Sequence, residues 1–213
     1  MTQDRGGRPY ARNASDPRPV PAPMSATRAG AVGGAEAGVT AEPGEEAGTV
    51  AYGVAAATAV LETLRGLLPL TVAGAAERFA AQGWTPGGRS RSGDGVPTGW
   101  GKDGVRASIL PFGDGAIDVS FAVWIRDVDA SGYFDDLDAV YEEGERVLAA
   151  VVRRIERSPL ARRLLPTGQE ATGEDEYIAL RRWDLEGRCL TAGAVQHDGD
   201  LPVMVVITLN QPA

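Results

Sequence analysis

The sequence predicts an α+β domain: an antiparallel sheet of about five strands with helices packed on it, in the order α-α-β-β-α-β-β-β. Three observations carry this. From Ala116 to Arg126, Ile117, Val119, Phe121, Val123 and Ile125 alternate with Asp118, Ser120, Ala122, Trp124 and Arg126, the period of two expected of a strand with one buried face. From Phe134 to Ile155, the apolar residues Leu137, Val140, Tyr141, Leu148, Val151, Val152 and Ile155 recur at helical spacing, the stripe of an amphipathic helix. Beyond Asp175, β-rich runs are separated by Glu186-Gly187 and Asp198-Gly199-Asp200, the composition of hairpin turns.

Taken in order, residues 1–49 come first. Pro17, Pro19, Pro21 and Pro23 alternate with other residues, and Gly30 to Gly48 holds almost no large apolar side chain. Such a segment buries too little surface to offset its ordering entropy. The sequence therefore predicts a disordered Pro/Gly/Ala-rich tail over 1–49 and a single folded domain over 50–213. From Val54 to Leu68, Val60, Leu61, Leu64, Leu67 and Leu68 mark one face of an Ala-rich helix, which Pro69 ends. Thr71 is placed as the N-cap of a short helix that buries Val72, Ala75, Ala76 and Phe79. Gly83 closes it, and Trp84 follows where a hydrophobic contact with the helix end is common.

Residues 85–99 read as a Gly- and Pro-rich loop. A strand from about Trp100 to Leu110 and the Ala116–Arg126 strand then form a hairpin through Gly113-Asp114-Gly115. In the long helix, Asp135, Asp136 and Asp138 near the start and Arg153, Arg154 and Arg157 near the end complement the macrodipole. Gly144 in its middle costs about 1 kcal/mol relative to Ala, which a close contact with the sheet would explain. Pro159 stops the helix, and Leu160, Leu164 and Leu165 add one more apolar turn. The closing strands are Tyr177–Leu185, Arg188–Gln196 and Val203–Asn210.

Composition excludes several function classes. With a formal net charge of −8 over 213 residues, the chain repels polyanions, and nucleic acid is not expected as a partner. Its basic residues cluster only modestly, at Arg153-Arg154, Arg157 and Arg162-Arg163. Cys189 and His197 are the sole residues of their types, so neither an intramolecular disulfide nor a Cys/His zinc site can form, and a reducing cytoplasm is the simplest compartment. No apolar segment follows Arg5 and Arg8 as in a secretory signal. Val50 to Leu70 is broken by Gly53, Glu62, Arg65, Gly66 and Pro69, short of the roughly 20 apolar residues of a membrane span.

No constellation reads as chemistry, and no catalytic, cofactor or metal residue is assigned. The glycines at 93, 95, 99 and 101 precede a strand, whereas a phosphate-binding loop opens a helix. Asp127, Asp129, Asp135, Asp136 and Asp138 lack the Gly-punctuated spacing of a calcium loop. His197 sits in a turn beside Asp198 without a nucleophile elbow, and Cys189 lies within a strand as a small apolar residue. The tryptophans are more informative. Trp124 falls on the strand face opposite Phe121, together with Arg126, and the last strand is apolar on both sides, with Met204 and Val206 opposite Val203 and Val205. Trp124, Arg126, Met204 and Val206 are thus the candidate partner surface, unless the N-terminal helices cover that face.

The Gly83-Trp84 helix end, the hairpin to Arg126, the helix Phe134–Ile155, Arg182-Trp183 at a strand start and the closing hairpin Leu201–Asn210 together resemble an uncharacterised actinobacterial family of small α+β domains. The resemblance covers Leu70 to Asn210. The arrangement is also similar to secretion-chaperone-like and toxin-immunity-like folds, which bind protein partners and imply no catalytic motif. The expectation is a non-enzymatic, cytoplasmic protein-binding domain or homo-oligomer that needs no cofactor. The alternative is a small-molecule-binding or hydrolytic enzyme using Asp/Glu and Arg side chains.

Overall fold

The computed structural model describes residues 43–88, 90–112, 115–128, 135–167, 177–198 and 201–210, with the side chains of 43–47, 135 and 136 left aside. Helix α1, Pro43–Leu64, begins earlier than the sequence suggests, so the boundary drawn at residue 49 falls inside it. Proline suits the first position of a helix. The rest of the expected tail lies outside the described residues. Val50, Val54, Ala57, Val60, Leu61 and Leu64 form the buried side of α1.

Helix α2, Val72–Ala81, is capped at both ends as its sequence predicts. The Thr71 hydroxyl accepts the Gly74 N–H at 3.1 Å. At the other end Gly83, with φ +76°, sends its N–H to Ala80, and Trp84 sends its own to Phe79. This pair of bonds is a Schellman motif, whose usual hydrophobic contact is made by the Trp84 ring standing edge-on to Phe79 with centroids 5.2 Å apart. Trp100 stacks on the same Phe79 ring at 5.4 Å, and Phe121 packs beside it. One capping motif thus seeds the aromatic part of the core.

The sheet has eight strands, all antiparallel, in the order β1-β2-β3-β4-β8-β7-β6-β5. These are β1 Thr85–Pro86, β2 Gly99–Lys102, β3 Val105–Pro111, β4 Ile117–Arg126, β5 Leu164–Pro166, β6 Tyr177–Leu185, β7 Cys189–Val195 and β8 Val203–Asn210. The expected five become eight for two reasons. The predicted Trp100–Leu110 strand is folded in half at Asp103-Gly104, with φ +44° and +86°, a two-residue turn of the kind Asp-Gly favours. The edge strands β1 and β5 are too short to show any periodicity. The turn at 113–114 and the loop 129–134 lie outside the described residues.

Helix α3, Asp135–Ile155, follows β4, and a 3₁₀ turn, Pro159–Arg163, follows α3. Helix, short helical element, short edge strand and three-stranded meander therefore occur twice in the chain. The two meanders meet where β4 pairs with β8, in the middle of the sheet.

The helices pack on one face of the sheet. At their centre β4 carries a bulge between Ala122 and Trp124, where an extra residue locally breaks the alternation. Val123 and Trp124 consequently both turn toward the helices. A Cβ on Gly53 of α1 would lie 3.3 Å from Val123 Cβ, and one on Gly144 of α3 would lie 3.8 Å from the Trp124 ring. The tight contact is at Gly53; at Gly144, where the sequence suggested one, a Cβ would meet only ordinary van der Waals neighbours.

A polar tie joins the end of α1 to the β6–β7 turn. Arg188, only 6 % exposed, donates Nη1 to Leu64 O at 2.8 Å and Nη2 to Leu67 O. Leu64 O ends α1, where a cation is favoured, and it also accepts the Leu67 N–H at 3.0 Å; Leu67 lies just beyond the helix. Burial pulls the Arg188 pKa down and the nearby Glu186 charge pushes it back up. Glu186 also accepts Arg65 at 3.3 Å and Arg163 at 2.9 Å.

Three outcomes follow in urea unfolding. Gly144→Ala should stabilise the protein by up to about 1 kcal/mol, because its Cβ meets nothing closer than Val203 Cγ1 at 3.4 Å. Gly53→Ala should gain less, since Val123 Cβ is fixed to the backbone. Arg188→Ala should cost about 2–3 kcal/mol, the loss of charge-assisted bonds to buried carbonyls. A near-neutral Arg188→Ala would show that the tie contributes nothing.

Candidate functional site

No helix among the described residues covers the other face of the sheet. Side chains there fall into rows that cross the strands, because register aligns residues that share a face. The first row is Asp118, Asn210, Cys189 and Asp184, on β4, β8, β7 and β6. The second is Ser108, Ser120, Thr208 and Thr191, a line of hydroxyls from β3 to β7. The third is Ala122, Val206, Gly193 and Leu180, and the fourth is Ile125, Met204, Val195 and Tyr177. Across β4, β8 and β7 polarity thus grades from carboxylate and amide, through hydroxyl, to aliphatic, while β3 sets Leu110 beside Asp118 and Arg106 beside Ala122, and β6 sets Arg182 beside Thr191.

The polar end is internally bonded. Asn210 Nδ2 donates to Asp118 Oδ2 at 2.6 Å, and Thr208 Oγ1 donates to Ser120 Oγ at 3.3 Å. Gly187 N–H donates to Asp184 Oδ1 at 3.3 Å. Cys189 Sγ lies 3.6 Å from Thr191 Oγ1. Burial raises the Asp118 pKa, against the lowering effect of the Asn210 bond. At the apolar end the Tyr177 ring lies over Gly193, where a Cβ would collide with it. Ile125 is 39 % exposed, Met204 half-buried, and Val206 and Val195 are buried between their neighbours.

The sequence-predicted surface divides here. Met204 and Val206 lie on this face as expected. Trp124 does not: the bulge turns it toward α3, where it is buried. Arg126, in register with Val203, is exposed at the strand end and does not share the rows of Met204 and Val206. Ile125 takes the place assigned to Trp124. Period-two reading misses this because Phe121-Ala122-Val123-Trp124 contains no charged residue to mark the slip. Leu180, Val195 and the Tyr177–Gly193 contact were also missed. A lone glycine within an apolar strand is the one signal that pointed to such a close approach.

Other candidates are dispersed. Lys102 donates to Gln82 O at 2.7 Å, at the end of α2, and so serves the helix rather than the glycine loop. Asp127 and Asp138 are exposed, Asp129 lies outside the described residues, and among the described residues no group of three metal-ligating side chains is assembled. His197 and Asp198 are exposed at the end of β7. No helix among the described residues is long and apolar enough to cross a membrane.

The sign of the Asp118 effect is testable. A carboxylate whose pKa is raised by folding contributes stability at acid pH, and that contribution is lost as pH rises from the unfolded toward the folded pKa. The stability of the wild type relative to Asp118→Asn should therefore fall as pH rises from 3 to 7 in urea titrations. The opposite slope would mean that the Asn210 bond outweighs burial.

Comparison with known proteins adds no relative: no protein-family model, no curated protein and no solved structure matches the chain.

Proposed function

We propose that this domain is a non-enzymatic protein-binding module that holds an amphipathic segment of a partner across the sheet face opposite the helices. The observation that carries the reading is the graded face itself. Its apolar row crosses four strands, roughly 14 Å at about 4.8 Å per strand, the length of a ten-residue helix at about 1.5 Å per residue. A segment lying over Ile125, Met204 and Tyr177, with Val195 buried between them, would keep its polar flank over the hydroxyl row. An exposed isoleucine beside a half-buried methionine on a helix-free face favours association, and methionine adapts to varied side chains. The resemblance to secretion-chaperone-like and toxin-immunity-like folds supports the same class of partner. Binding is preferred over hydrolysis because the two carboxylates on the face, Asp118 and Asp184, are each held by an N–H donor, Asn210 Nδ2 and Gly187 N.

Site-specific photocrosslinking in the host cell tests this. A benzophenone side chain at position 125 or 204 should capture a partner polypeptide, and one at the exposed Glu77 of α2 should not capture the same polypeptide. Met204→Asp should reduce capture from position 125 at least tenfold while the melting midpoint moves by less than about 4 °C, under about 1 kcal/mol for a domain of this size. Equal capture at all three positions, or none, would reject the reading. A captured second copy of the chain would identify the homo-oligomer.

A further inference from the structure

A second surface lies away from the sheet. Between the outer side of α1 and the end of α3 runs a groove of about 420 Å³, with Ala51, Ala55 and Ala59 along its floor and Arg154, Arg157 and Pro159 along its wall. The alanines stand one turn apart, so their methyl groups form a single row. With no longer side chain in that row, another backbone can approach closely.

The wall carries charge that the fold does not use. Arg153, Arg154, Arg157 and Arg162 are all exposed. Among the described residues, Arg65 and Arg163 are ion-paired with Glu62 and Glu186, and Arg154 and Arg157 are not ion-paired. Glu62, which also lines the groove, is thereby occupied by Arg65 at 2.8 Å. The helix dipole accounts for a cation in the last turn of α3. It does not account for two guanidinium groups set along an apolar trough, nor for Arg162 beyond the helix. In a chain of net charge −8, this concentration of unpaired arginine defines a local site for anions.

We propose that the groove docks an acidic amphipathic helix from a partner protein, its small and apolar side on Ala51, Ala55 and Ala59 and its carboxylates on Arg154 and Arg157. Guanidinium groups suit carboxylates because their planar N–H forks match two oxygens at once. The aliphatic floor favours a peptide over single-stranded nucleic acid, which uses aromatic stacking platforms. A long polyanion would also meet the acidic remainder of the surface. A bilayer, being broad, cannot enter a trough of this size. The site is independent of the sheet face.

The test is display selection of random twelve-residue peptides on the full-length chain, followed by fluorescence anisotropy with the enriched peptides. The enriched peptides should be acidic, with apolar residues at i, i+3 and i+4. Their affinity should fall at least tenfold in Arg154→Gln/Arg157→Gln, which removes charge, and in Ala55→Trp, which fills the trough without changing charge. Both alterations are at exposed positions, and circular dichroism melts confirm the fold. Met204→Asp should leave this binding unchanged, separating the groove from the sheet face. Failure to enrich acidic peptides, or binding insensitive to Ala55→Trp, would overturn the proposal. So would tighter, arginine-dependent binding of a dT20 oligonucleotide or of vesicles containing 30 mol % phosphatidylserine.

Discussion

The bulge in β4 is the constraint on which the architecture turns. A regular strand shows each neighbouring residue to opposite faces, so it could offer either Val123 or Trp124 to the helices, but not both. By inserting one residue, the bulge gives Val123 to α1 and Trp124 to α3. Gly53 of α1 is the other half of the same device: it leaves room for the Val123 side chain that β4 raises toward it, which offsets the helix propensity that glycine loses. Gly144 of α3 stands over Trp124 at ordinary contact distance. Helix register, sheet register and the composition of the opposite face all follow from this one slip.

Around that centre the two halves are stabilised by unlike means. The first is aromatic, with Phe79, Trp84, Trp100 and Phe121 in mutual contact. The second is aliphatic near α3, where Leu148, Val151 and Ile155 are buried, and it reaches back to the first through Arg188. That guanidinium joins a tight turn of one half to the helix end of the other. Apolar packing sets the distance between halves, and directional bonds to Leu64 O and Leu67 O set the alignment.

Much of this was legible from residues alone, in a physically consistent way. Thr71, Gly83 and Trp84 marked a helix because capping is local chemistry. Strand β4 was readable because one buried face imposes alternation up to its bulge, and β6 and β8 because β-rich runs are set between turn signals. What escaped was either too short or decided elsewhere in the fold. β1 and β5 are held by their neighbours rather than by their own pattern, and the Asp103-Gly104 turn signal was read as the middle of one continuous strand. For the candidate site, Met204 and Val206 were found and Trp124 was misplaced. Alternation cannot report a bulge whose cause is the approach of helices distant in sequence.

The meeting of the halves across β4 and β8 has a consequence for how the chain reaches its fold. Within each half, strands pair with their sequence neighbours, so the loops to be closed are small. The central ladder instead joins Val119 to Leu209 and Arg126 to Val203, and its closure carries the largest entropic cost of any pairing in the sheet. Until that ladder forms, β4 and β8 are both bare edges with matching registers. The second half of a neighbouring chain offers β4 the same edge as its own. At high concentration, exchange of halves between molecules competes with intramolecular closure.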